Sequence, residues 1–315
     1  MAIHGLPEDS RRGLANAQRR DARGSQARPG GIAPVLSYQH GYHAGGVADV
    51  HKHVALCLLL ARLAKKTKPF CVIDLYAGEG EYDLAAHKAQ KTGDFKTGVE
   101  RIWQSVDAQP AVQGYLDLLK RLNPGGELRR YPGSPAIARA FMREHDRLIL
   151  NELHAGAYPA LGRWARKDAR ISVHNRDGLE ALVALTPPEI RRGVVLIDPS
   201  FEVKSEYAAV PEKLSAAVPR WREGIFVVWY PILKEGRHRS LLAGLSGVDA
   251  EVLVSEISRN AAKAGEAAAG LLGTGLAVVN PPWKFENAMA EAGDWLARKL
   301  GPGRHTASWL NRAKT

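Results

Sequence analysis

The sequence predicts an α/β protein built on a doubly wound, mostly parallel sheet. Its candidate strands are apolar runs without polar alternation, as in Val194–Ile197, which is typical of strands that are covered on both faces. Helix-like segments lie between most of these runs, and this alternation favours parallel pairing. Asp74 and Asp198 stand where strands end, and the carboxyl edge of such a sheet is where ligands bind.

The candidate elements alternate along the chain. Helical spacing of apolar residues in GGVADVHKHVALCLLLARLAKK predicts a helix that begins near Ala48 and ends at the lysines. The next segment, KPFCVIDLYAGEG, predicts a buried strand that ends at Asp74 and leads into a glycine-rich turn. Further strands are predicted at DRLILNE (146–152), RISVHN (170–175), VVLID (194–198), GIFVVWY (224–230), AEVLVSEI (250–257) and GLAVVNP (275–281), which makes the sheet seven-stranded.

One interval is too long for a single crossover. About seventy residues separate Asp74 from the strand near 147, whereas a βαβ unit needs one helix. The segments VERIWQSV and VQGYLDLLKRL within it have helical periodicity. We therefore predict a small helical insertion over about 83–131, beside the ligand edge of the sheet.

Composition limits the classes of partner and compartment. The chain has 315 residues, 45% of them hydrophobic, and its net charge of +11 favours polyanionic partners, of which nucleic acid is the commonest. Its two cysteines, Cys57 and Cys71, lie in apolar sequence, which is typical of buried thiols in a reducing cytoplasm. Neither a signal peptide nor an apolar run of about 20 residues is present, so we expect a cytoplasmic protein that does not span a membrane.

The first 35 residues differ from the rest of the chain. Residues 1–35 contain six arginines, three acids and almost no apolar periodicity, which predicts a disordered basic extension. Such an extension is either dispensable or a further contact for RNA. We expect residues 36–315 to form the folded domain.

The first glycine loop, Ala77–Gly80, permits close approach of the backbone to a ligand. A dinucleotide site requires G-x-G-x-x-G, but Asp83 stands at the third glycine position, which argues against NAD. S-adenosylmethionine has an adenosine and a charged amino-acid tail but no pyrophosphate, and it fits better. In that interpretation Glu152 accepts hydrogen bonds from the ribose hydroxyls and Asp177 binds the adenine amino group, although either acid alone is more often a helix cap or loop residue.

The tetrapeptide Asp198-Pro199-Ser200-Phe201 is similar to the [D/N/S]-P-P-[Y/F] motif of methyltransferases that act on planar exocyclic amines. The Asp198 carboxylate and the Pro199 carbonyl would hold the two amine hydrogens, and Asp198 would then accept the released proton. Phe201 would stack on the base, an interaction worth about 1–3 kcal/mol. We expect no metal. Ser200 replaces the second proline, which costs the loop at most about 1 kcal/mol.

A second tetrapeptide, Asn280-Pro281-Pro282-Trp283, also resembles the motif and keeps both prolines. It follows a later strand than the one after the Asp177 loop, so we expect it to be a turn that packs Trp283. Catalysis at Asn280 remains the alternative.

From Leu36 to about Trp309 the chain resembles the RlmJ family of 23S rRNA adenine-N6 methyltransferases. The resemblance depends on ordered blocks: LSYQHGYHAGGVADVHKH, VIDLYAGEGEYDL, RRYPGSPAIAR, NELHAGAYP, RDGLEAL, LIDPSFE and NPPWK. It implies a Rossmann-like class I methyltransferase fold with a small helical insertion. It also implies S-adenosylmethionine as the methyl donor and protein-free 23S rRNA as the substrate.

The resemblance also assigns roles to matching residues. It implies that Asp198 is the catalytic acid, with Pro199 and Phe201 in the same tetrapeptide. The positions that it matches to the cofactor site are Lys52, His53, Asp74, Tyr76, Gly78, Ser134, Glu152, Asp177 and Gly178. The opening motif, with Tyr38, His40 and His43, is matched to contact with RNA. Tyr76 stands where the family often has histidine, so this contact differs chemically.

Two other functions remain open at the level of sequence. Ser200 and Tyr76 are departures that an RNA-binding protein with lapsed catalysis could carry, although the other motif residues are retained together. The same tetrapeptide also suits a planar amine in DNA or in a protein glutamine. The sequence indicates no obligate dimer, and we expect a monomer.

Overall fold

A computed structural model describes residues 38–259, 271–301 and 303–312. The basic extension that the sequence predicts over residues 1–35 lies outside the described residues. Strands and helices alternate along most of the described chain, as the sequence predicts. The strands are β1 (Cys71–Asp74), β2 (Glu81–Asp83), β3 (Arg130–Pro132), β4 (Arg147–Asn151), β5 (Ile171–His174), β6 (Gly193–Ile197), β7 (Ile225–Leu233), β8 (Val252–Arg259), β9 (Leu271–Val279) and β10 (Gly303–Asn311).

The helices cover both faces of the main sheet. They are α1 (Val47–Ala64), α2 (His87–Thr92), α3 (Asp94–Thr97), α4 (Pro110–Leu122), α5 (Ser134–Phe141), α6 (Ala157–Ala165), α7 (Gly178–Leu185), α8 (Glu206–Ala217), α9 (His238–Leu245) and α10 (Phe285–Lys299). Buried residues of α1, α4, α5 and α10 join one hydrophobic core, and those of α7, α8 and α9 join the other. Along β6, Val194 and Leu196 enter the first core while Val195 and Ile197 enter the second. This two-sided burial explains why the run has no polar alternation.

The main sheet has the strand order β10-β8-β9-β7-β6-β1-β4-β5. The five strands from β7 to β5 pair in parallel, and the pairs β7·β9, β9·β8 and β8·β10 are antiparallel. The α/β class and the mostly parallel sheet are confirmed, but the count of seven strands is wrong, because the sheet has eight. The extra strand is β10, an edge strand without a fully buried residue, so it lacks the apolar run that identified the other strands.

The sheet has two edges with different roles. At the carboxyl edge the parallel strands β1, β4, β5 and β6 end, and at the amino edge they begin. Because β9 runs against β7, its last residue, Val279, pairs with Phe226 near the start of β7. The segment after β9 therefore lies at the amino edge.

The region from 83 to 131 contains α2, α3 and α4. It is flanked by β2 and β3, which pair as a separate antiparallel sheet in which Tyr82 lies opposite Tyr131. The segment VQGYLDLLKRL lies within α4, as its periodicity predicts. VERIWQSV forms one 3₁₀ turn at Val99–Arg101 and then leaves helical structure. A 3₁₀ turn also brings residues three apart to one side, which is how both Val99 and Ile102 become buried.

The edge strand β10 is attached to the molecule by a chain of polar side chains. His305 Nδ1 lies 3.0 Å from Asp294 Oδ1 on α10, and His305 Nε2 lies 2.9 Å from Ser255 Oγ on β8. Ser255 is 1% exposed and also contacts His51 of α1 at 3.0 Å. The Asp-His-Ser order resembles a hydrolytic triad, but a buried hydroxyl cannot reach a substrate, so we interpret it as a structural link.

No helix in the described part of the chain is both long enough and apolar enough to cross a membrane.

Candidate active site

Four acids that the sequence singles out meet at the carboxyl edge. Asp74 ends β1, Glu152 follows β4, Asp177 follows β5 and Asp198 follows β6. Since β5, β4, β1 and β6 are neighbours in the sheet, their ends converge on one region of this edge.

The glycine loop is fixed in place by Glu152. The backbone N–H of Gly78 donates to Glu152 Oε2 at 2.7 Å, and the N–H of His154 donates to Glu152 Oε1 at 2.7 Å. Gly78 has a φ of +63°, and a Cβ at this position would overlap the Tyr82 hydroxyl. Glycine is therefore needed here both for the backbone conformation and for space. Burial raises the pKa of Glu152.

Asp74 lies beneath this loop and is 1% exposed. Its Oδ1 accepts a hydrogen bond from the Tyr76 N–H at 3.2 Å, but its Oδ2 has no hydrogen-bond partner among the described residues. Burial raises the pKa of Asp74 to about 6, against the opposing effects of the Ser134 hydroxyl and the Tyr76 N–H. Ser134 opens α5, and the preceding residue, Gly133, donates to the Gly80 carbonyl at 2.9 Å.

Tyr76 extends from the glycine loop towards the turn after β5. A Cβ on Gly178 would overlap the Tyr76 ring, so Gly178 is required for this approach. Asp177 caps α7, and its Oδ1 accepts hydrogen bonds from the N–H groups of Leu179 and Glu180 at 2.9 and 3.0 Å. Burial raises the pKa of Tyr76, and the charges of Glu206, Asp177, Asp198 and Glu152 add to the shift.

Glu206, in the first turn of α8, is an acid that sequence reasoning missed. Its Oε2 is buried and has no hydrogen-bond partner among the described residues. Burial raises the pKa of Glu206 to about 7, and Asp177 and Glu202 contribute to the increase. Its position eight residues after Asp198, in the first turn of the next helix, was the available signal.

Lys52 links α1 to the tetrapeptide Asp198-Pro199-Ser200-Phe201. Its Nζ donates to Asp198 Oδ2 and also to Asp49 Oδ1, which lies 3.0 Å away. Lys52 and Asp49 are 4% and 3% exposed, so this ion pair is withdrawn from water. Burial alone would lower the pKa of Lys52, but Asp198 and Asp49 outweigh it and raise that pKa. The ammonium group therefore stays protonated between the two carboxylates.

Asp49 was also missed by sequence reasoning, and it connects the opening motif to Lys52. Its Oδ2 accepts hydrogen bonds from His40 Nε2 at 2.9 Å and from the Gly45 N–H at 3.0 Å. Burial disfavours its charged form, but His40 and Lys52 hold the pKa of Asp49 well below its usual range. The signal in the sequence was an acid three residues before Lys52 on the same helical face.

The opening motif lies beside the loop formed by Asp198-Pro199-Ser200-Phe201, which we call the tetrapeptide loop. The Tyr38 hydroxyl is 2.9 Å from His40 Nδ1, and the Tyr38 N–H donates to Glu202 Oε2 at 3.2 Å. Burial raises the pKa of Tyr38, and the charge of Asp198 raises it further. Tyr38 also stacks on His43, with ring centroids 5.4 Å apart. His43 in turn lies 2.9 Å from Asp94 on α3, and this contact raises the pKa of His43.

The tetrapeptide loop is held internally. Ser200, in the place of the second proline, accepts a hydrogen bond from the Glu202 N–H at 3.4 Å through its hydroxyl. Phe201 has a φ of +54°, a conformation that is strained for a bulky residue. Its ring is 6% exposed and packs on Tyr207, with centroids 4.5 Å apart. In this conformation Phe201 offers little surface to a base.

His53 lies one residue beyond Lys52 and faces the core. It is 1% exposed, and its Nδ1 is 2.8 Å from the Tyr131 hydroxyl. Burial lowers the pKa of His53 to about 3, so the ring is neutral at physiological pH.

The second tetrapeptide lies at the other end of the sheet. Asn280 follows β9 at the amino edge, and its amide donates to the carbonyls of Arg222 and Gly224 at 2.8 and 2.9 Å. These hydrogen bonds join Asn280 to the residues that lead into β7. Asn280 is therefore separated from the acids of the carboxyl edge by the length of the sheet, and Trp283 is 72% exposed rather than packed.

No group of three side chains suited to hold a metal ion occurs among residues 38–259, 271–301 and 303–312.

The sheet order and the acid-lined carboxyl edge define a class: this is a methyltransferase of Rossmann-like fold. Residues 67–311 match the model of the family described as "Ribosomal RNA large subunit methyltransferase D, RlmJ". The chain belongs to this family, as its sequence motifs indicate.

Curated relatives agree with this assignment. The chain is 39% identical over 280 residues to ribosomal RNA large subunit methyltransferase J of Escherichia coli (strain K12), which covers 88% of this chain and 99% of the relative. It is 36% identical over 281 residues to the protein of the same name from Haemophilus influenzae, with the same coverage. A crystal structure of a protein from Legionella pneumophila superposes with a TM-score of 0.77 at 31% identity, covering 85% of this chain and 97% of that one.

Proposed function

We propose that this protein transfers a methyl group from S-adenosylmethionine to the N6 amine of a specific adenine in protein-free 23S rRNA. The observation that carries the proposal is the position of Asp198 and Pro199 at the carboxyl edge, at the end of β6, which is the neighbour of β1 and its glycine loop. The names of the two curated relatives support ribosomal RNA as the substrate. We propose a monomer that acts in the cytoplasm, where rRNA is made.

The residues present fit this cofactor. The buried Asp74 Oδ2, which lacks a partner among the described residues, is complementary to the cationic amino-acid end of the molecule. Glu152 follows β4, the strand next to β1, where ribose hydroxyls would be bound. The Gly78 backbone permits close approach of the cofactor. The walls of the cofactor site would be completed by Ser134, Asp177 and Gly178. The cofactor supplies an electrophilic methyl group on a sulfonium centre.

Asp198 would act on the target amine. The lone pair of an exocyclic adenine amine is delocalised into the ring, so two acceptors that hold its hydrogens favour the pyramidal, nucleophilic form. The Asp198 carboxylate and the Pro199 carbonyl are such acceptors. Lys52 remains protonated and donates a hydrogen bond to Asp198 Oδ2, so Asp198 Oδ1 is the oxygen that would accept from the amine.

A chain of polar contacts leads away from Asp198. Consecutive contacts join Asp198 to Lys52, Lys52 to Asp49, Asp49 to His40 and His40 to Tyr38. After methyl transfer the amine releases one proton, which Asp198 would accept. The chain of contacts would then spread the charge change over several buried groups.

The opening motif would receive the RNA. Tyr38 and His43 form a stacked pair beside the tetrapeptide loop, and ring faces suit an unpaired base. Base access requires an unpaired or extruded adenine, because the N6 amine lies inside a duplex otherwise. The net charge of +11 would assist the approach of RNA.

An RNA-binding protein with lapsed catalysis is the second candidate. Ser200 and Tyr76 favour it, as does the low exposure of Phe201. Against it stands the hydrogen bond of the Ser200 hydroxyl, which provides local order where the proline ring would have done so. DNA is a third possibility for the substrate, because the same amine occurs there.

The deciding experiment is methyl transfer from labelled S-adenosylmethionine to protein-free 23S rRNA that lacks native modifications. Wild type, Asp198→Ala and Asn280→Ala are compared, and the product nucleoside is identified by mass spectrometry. We expect N6-methyladenosine from wild type and Asn280→Ala, and none from Asp198→Ala. If wild type binds the cofactor and RNA but transfers no methyl group, the protein is an RNA-binding protein with lapsed catalysis. If wild type methylates DNA faster than RNA, DNA is the substrate.

A further inference from the structure

A group of cations lies at the amino edge of the sheet, where α1 ends and β1 and β4 begin. We call it the basic rim, and its members are Arg62, Lys65, Lys66, Lys68, Arg147 and Lys284. The three lysines 65, 66 and 68 are exposed. No member of the basic rim forms an ion pair with a carboxylate of the described residues.

Two members of the basic rim lie beside an exposed aromatic ring. Trp283 follows β9 at the amino edge and is 72% exposed, which is unusual for the largest apolar side chain. The Arg62 guanidinium lies 6.0 Å from the centre of the ring, and the Lys284 ammonium lies 4.2 Å from it. Lys284 adopts a φ of +61°, a left-handed backbone conformation that residues with a side chain rarely adopt. The loop thus keeps a cation beside the ring at a cost in backbone strain.

Two further arginines support the rim from behind. Arg143 donates to the carbonyls of Lys66 and Lys68 at 2.7 and 3.1 Å, and Arg192 donates to the Lys68 carbonyl at 2.6 Å. Burial lowers the pKa of Arg192, and the charge of Arg143 lowers it further. These guanidinium groups use their donors on the backbone after α1, while the lysine side chains remain exposed.

A run of exposed lysines is usually a solvated surface, and a single exposed tryptophan does not by itself identify a binding site. Here both occur together, because two members of the basic rim, Arg62 and Lys284, lie over the Trp283 ring while that ring is still 72% exposed. Phosphates bind to such charges, and an unpaired base stacks on such a ring. A folded protein partner would instead need a larger apolar surface than one ring.

We propose that the basic rim and Trp283 form a second RNA-binding surface, which holds a part of the substrate RNA remote from the adenine that is methylated. This inference rests on the proposed RNA substrate. The lysines would bind phosphates, and Trp283 would stack on one unpaired base.

Helix α1 sets the distance between the two surfaces. Lys52 contacts Asp198 at the carboxyl edge, and Arg62 lies ten residues further along the helix, which corresponds to about 15 Å. Only an RNA that extends at least this far from the methylated adenine can reach both. The surface would therefore add affinity for long RNA and none for a minimal substrate.

The test uses the full chain with two RNAs: full-length protein-free 23S rRNA and the shortest stem-loop that still accepts methyl groups. The variants are Trp283→Ala, Trp283→Phe and the triple change Lys65→Gln, Lys66→Gln and Lys68→Gln. Lys213→Gln on α8 removes one charge elsewhere and is the control. Thermal unfolding of each variant verifies its fold.

We expect Trp283→Ala to weaken binding of the long RNA about tenfold, and Trp283→Phe to restore most of it. The triple variant should reduce the dependence of log affinity on log salt by about 2 to 3. Methylation of the stem-loop should be unchanged in every variant. Wild-type affinity of these variants for the long RNA would overturn the inference, and so would equal losses on both RNAs. Failure of wild type to methylate either RNA would instead refute the proposed function.

Discussion

At the scale of single residues, Lys52 connects Asp198, the proposed catalytic acid, to Asp49. One buried ammonium group lies between two carboxylates and donates to an oxygen of each. Removing one partner of such a buried pair leaves the other charge uncompensated, so the effect is larger than the pair's net contribution. Asp49 has no place in the tetrapeptide, yet it sets the state of Lys52 and so acts as a positioning residue for Asp198.

Asp49→Asn should lower kcat by about tenfold or more and shift the pH profile. Without the Asp49 charge, burial lowers the pKa of Lys52, so activity should fall at a lower alkaline pH than in wild type. The measurement is kcat between about pH 6 and pH 10, with cofactor affinity in parallel. Asp117→Asn, on α4, is the control for the loss of an acid, and an unshifted alkaline limb in Asp49→Asn would exclude the positioning role.

Asp74 predicts a pH dependence of cofactor binding. Its folded pKa of about 6 lies above the usual value of 3.8, so ionisation costs stability as the pH rises between these values. A cationic ligand favours the ionised form, so its affinity should rise with pH up to about 6 and then level off, by about tenfold per unit below 6. Calorimetric titration with S-adenosylmethionine from pH 5 to pH 8 measures this dependence.

Asp74→Asn is the matched variant for that measurement. It should bind the cofactor more weakly at pH 8 and show no rise between pH 5 and pH 6. It should also unfold at higher urea concentration than wild type at pH 8, because an uncompensated buried charge has been removed. A wild-type curve that does not change with pH would assign the cation to another acid.

The sequence could predict which acids meet at the carboxyl edge, because each follows an apolar run. Asp49 and Glu206 follow no strand, so this rule misses them. Their spacing from Lys52 and Asp198 was the only signal in the sequence, and their burial becomes visible only in the folded state. Phe201 is 6% exposed, which does not support the stacking predicted for it. The sequence could not predict this burial, because the orientation of a ring depends on the loop conformation rather than on residue type.

At the scale of elements, β10 depends on its contact with α10. Gly293 of α10 faces His305 so closely that a Cβ would overlap the imidazole ring. That ring cannot move freely, because it is bonded to both Asp294 and Ser255. Gly293→Ala should therefore destabilise the protein by about 1–3 kcal/mol, despite the better helix propensity of alanine.

Gly114 provides the opposite case on α4. A Cβ at Gly114 would meet nothing within 4 Å, so Gly114→Ala should stabilise the protein by about 0.5–1 kcal/mol. Urea unfolding of both variants compares the two effects. If Gly293→Ala were as stable as wild type, the link between β10 and α10 would contribute little.

The elements differ in how well the sequence predicts them. Strands with two buried faces, such as β1 and β6, have apolar runs that are easy to recognise, and α1 has strong helical spacing. The strand β10 was missed because its partners, rather than its own residues, determine its structure. The turn at Val99–Arg101 was predicted as a helix because spacings of three and of 3.6 residues are hard to separate over one turn.

At the scale of the whole molecule, the two edges of the sheet separate chemistry from anchorage. The first described residue, Tyr38, already contacts the tetrapeptide loop through Glu202. Every residue of the candidate site lies after residue 35, so deletion of residues 1–35 should leave the fold and the methylation rate intact. Thermal unfolding and methyl transfer at two salt concentrations measure this. A truncated protein with weaker RNA binding and shallower salt dependence would give the extension's arginines a role in binding phosphates.

The position of β10 in the chain also has a consequence during synthesis. The strand β8 pairs with β9 on one side and with β10 on the other, and β10 is the last strand of the sheet to be translated. Until residues 303–311 have left the ribosome, β8 has an open edge of unpaired N–H and C=O groups, which can recruit strands of other chains. A ribosome that stalls, or a reading frame that stops, before these residues would therefore release an aggregation-prone chain even though every residue of the catalytic site has been made.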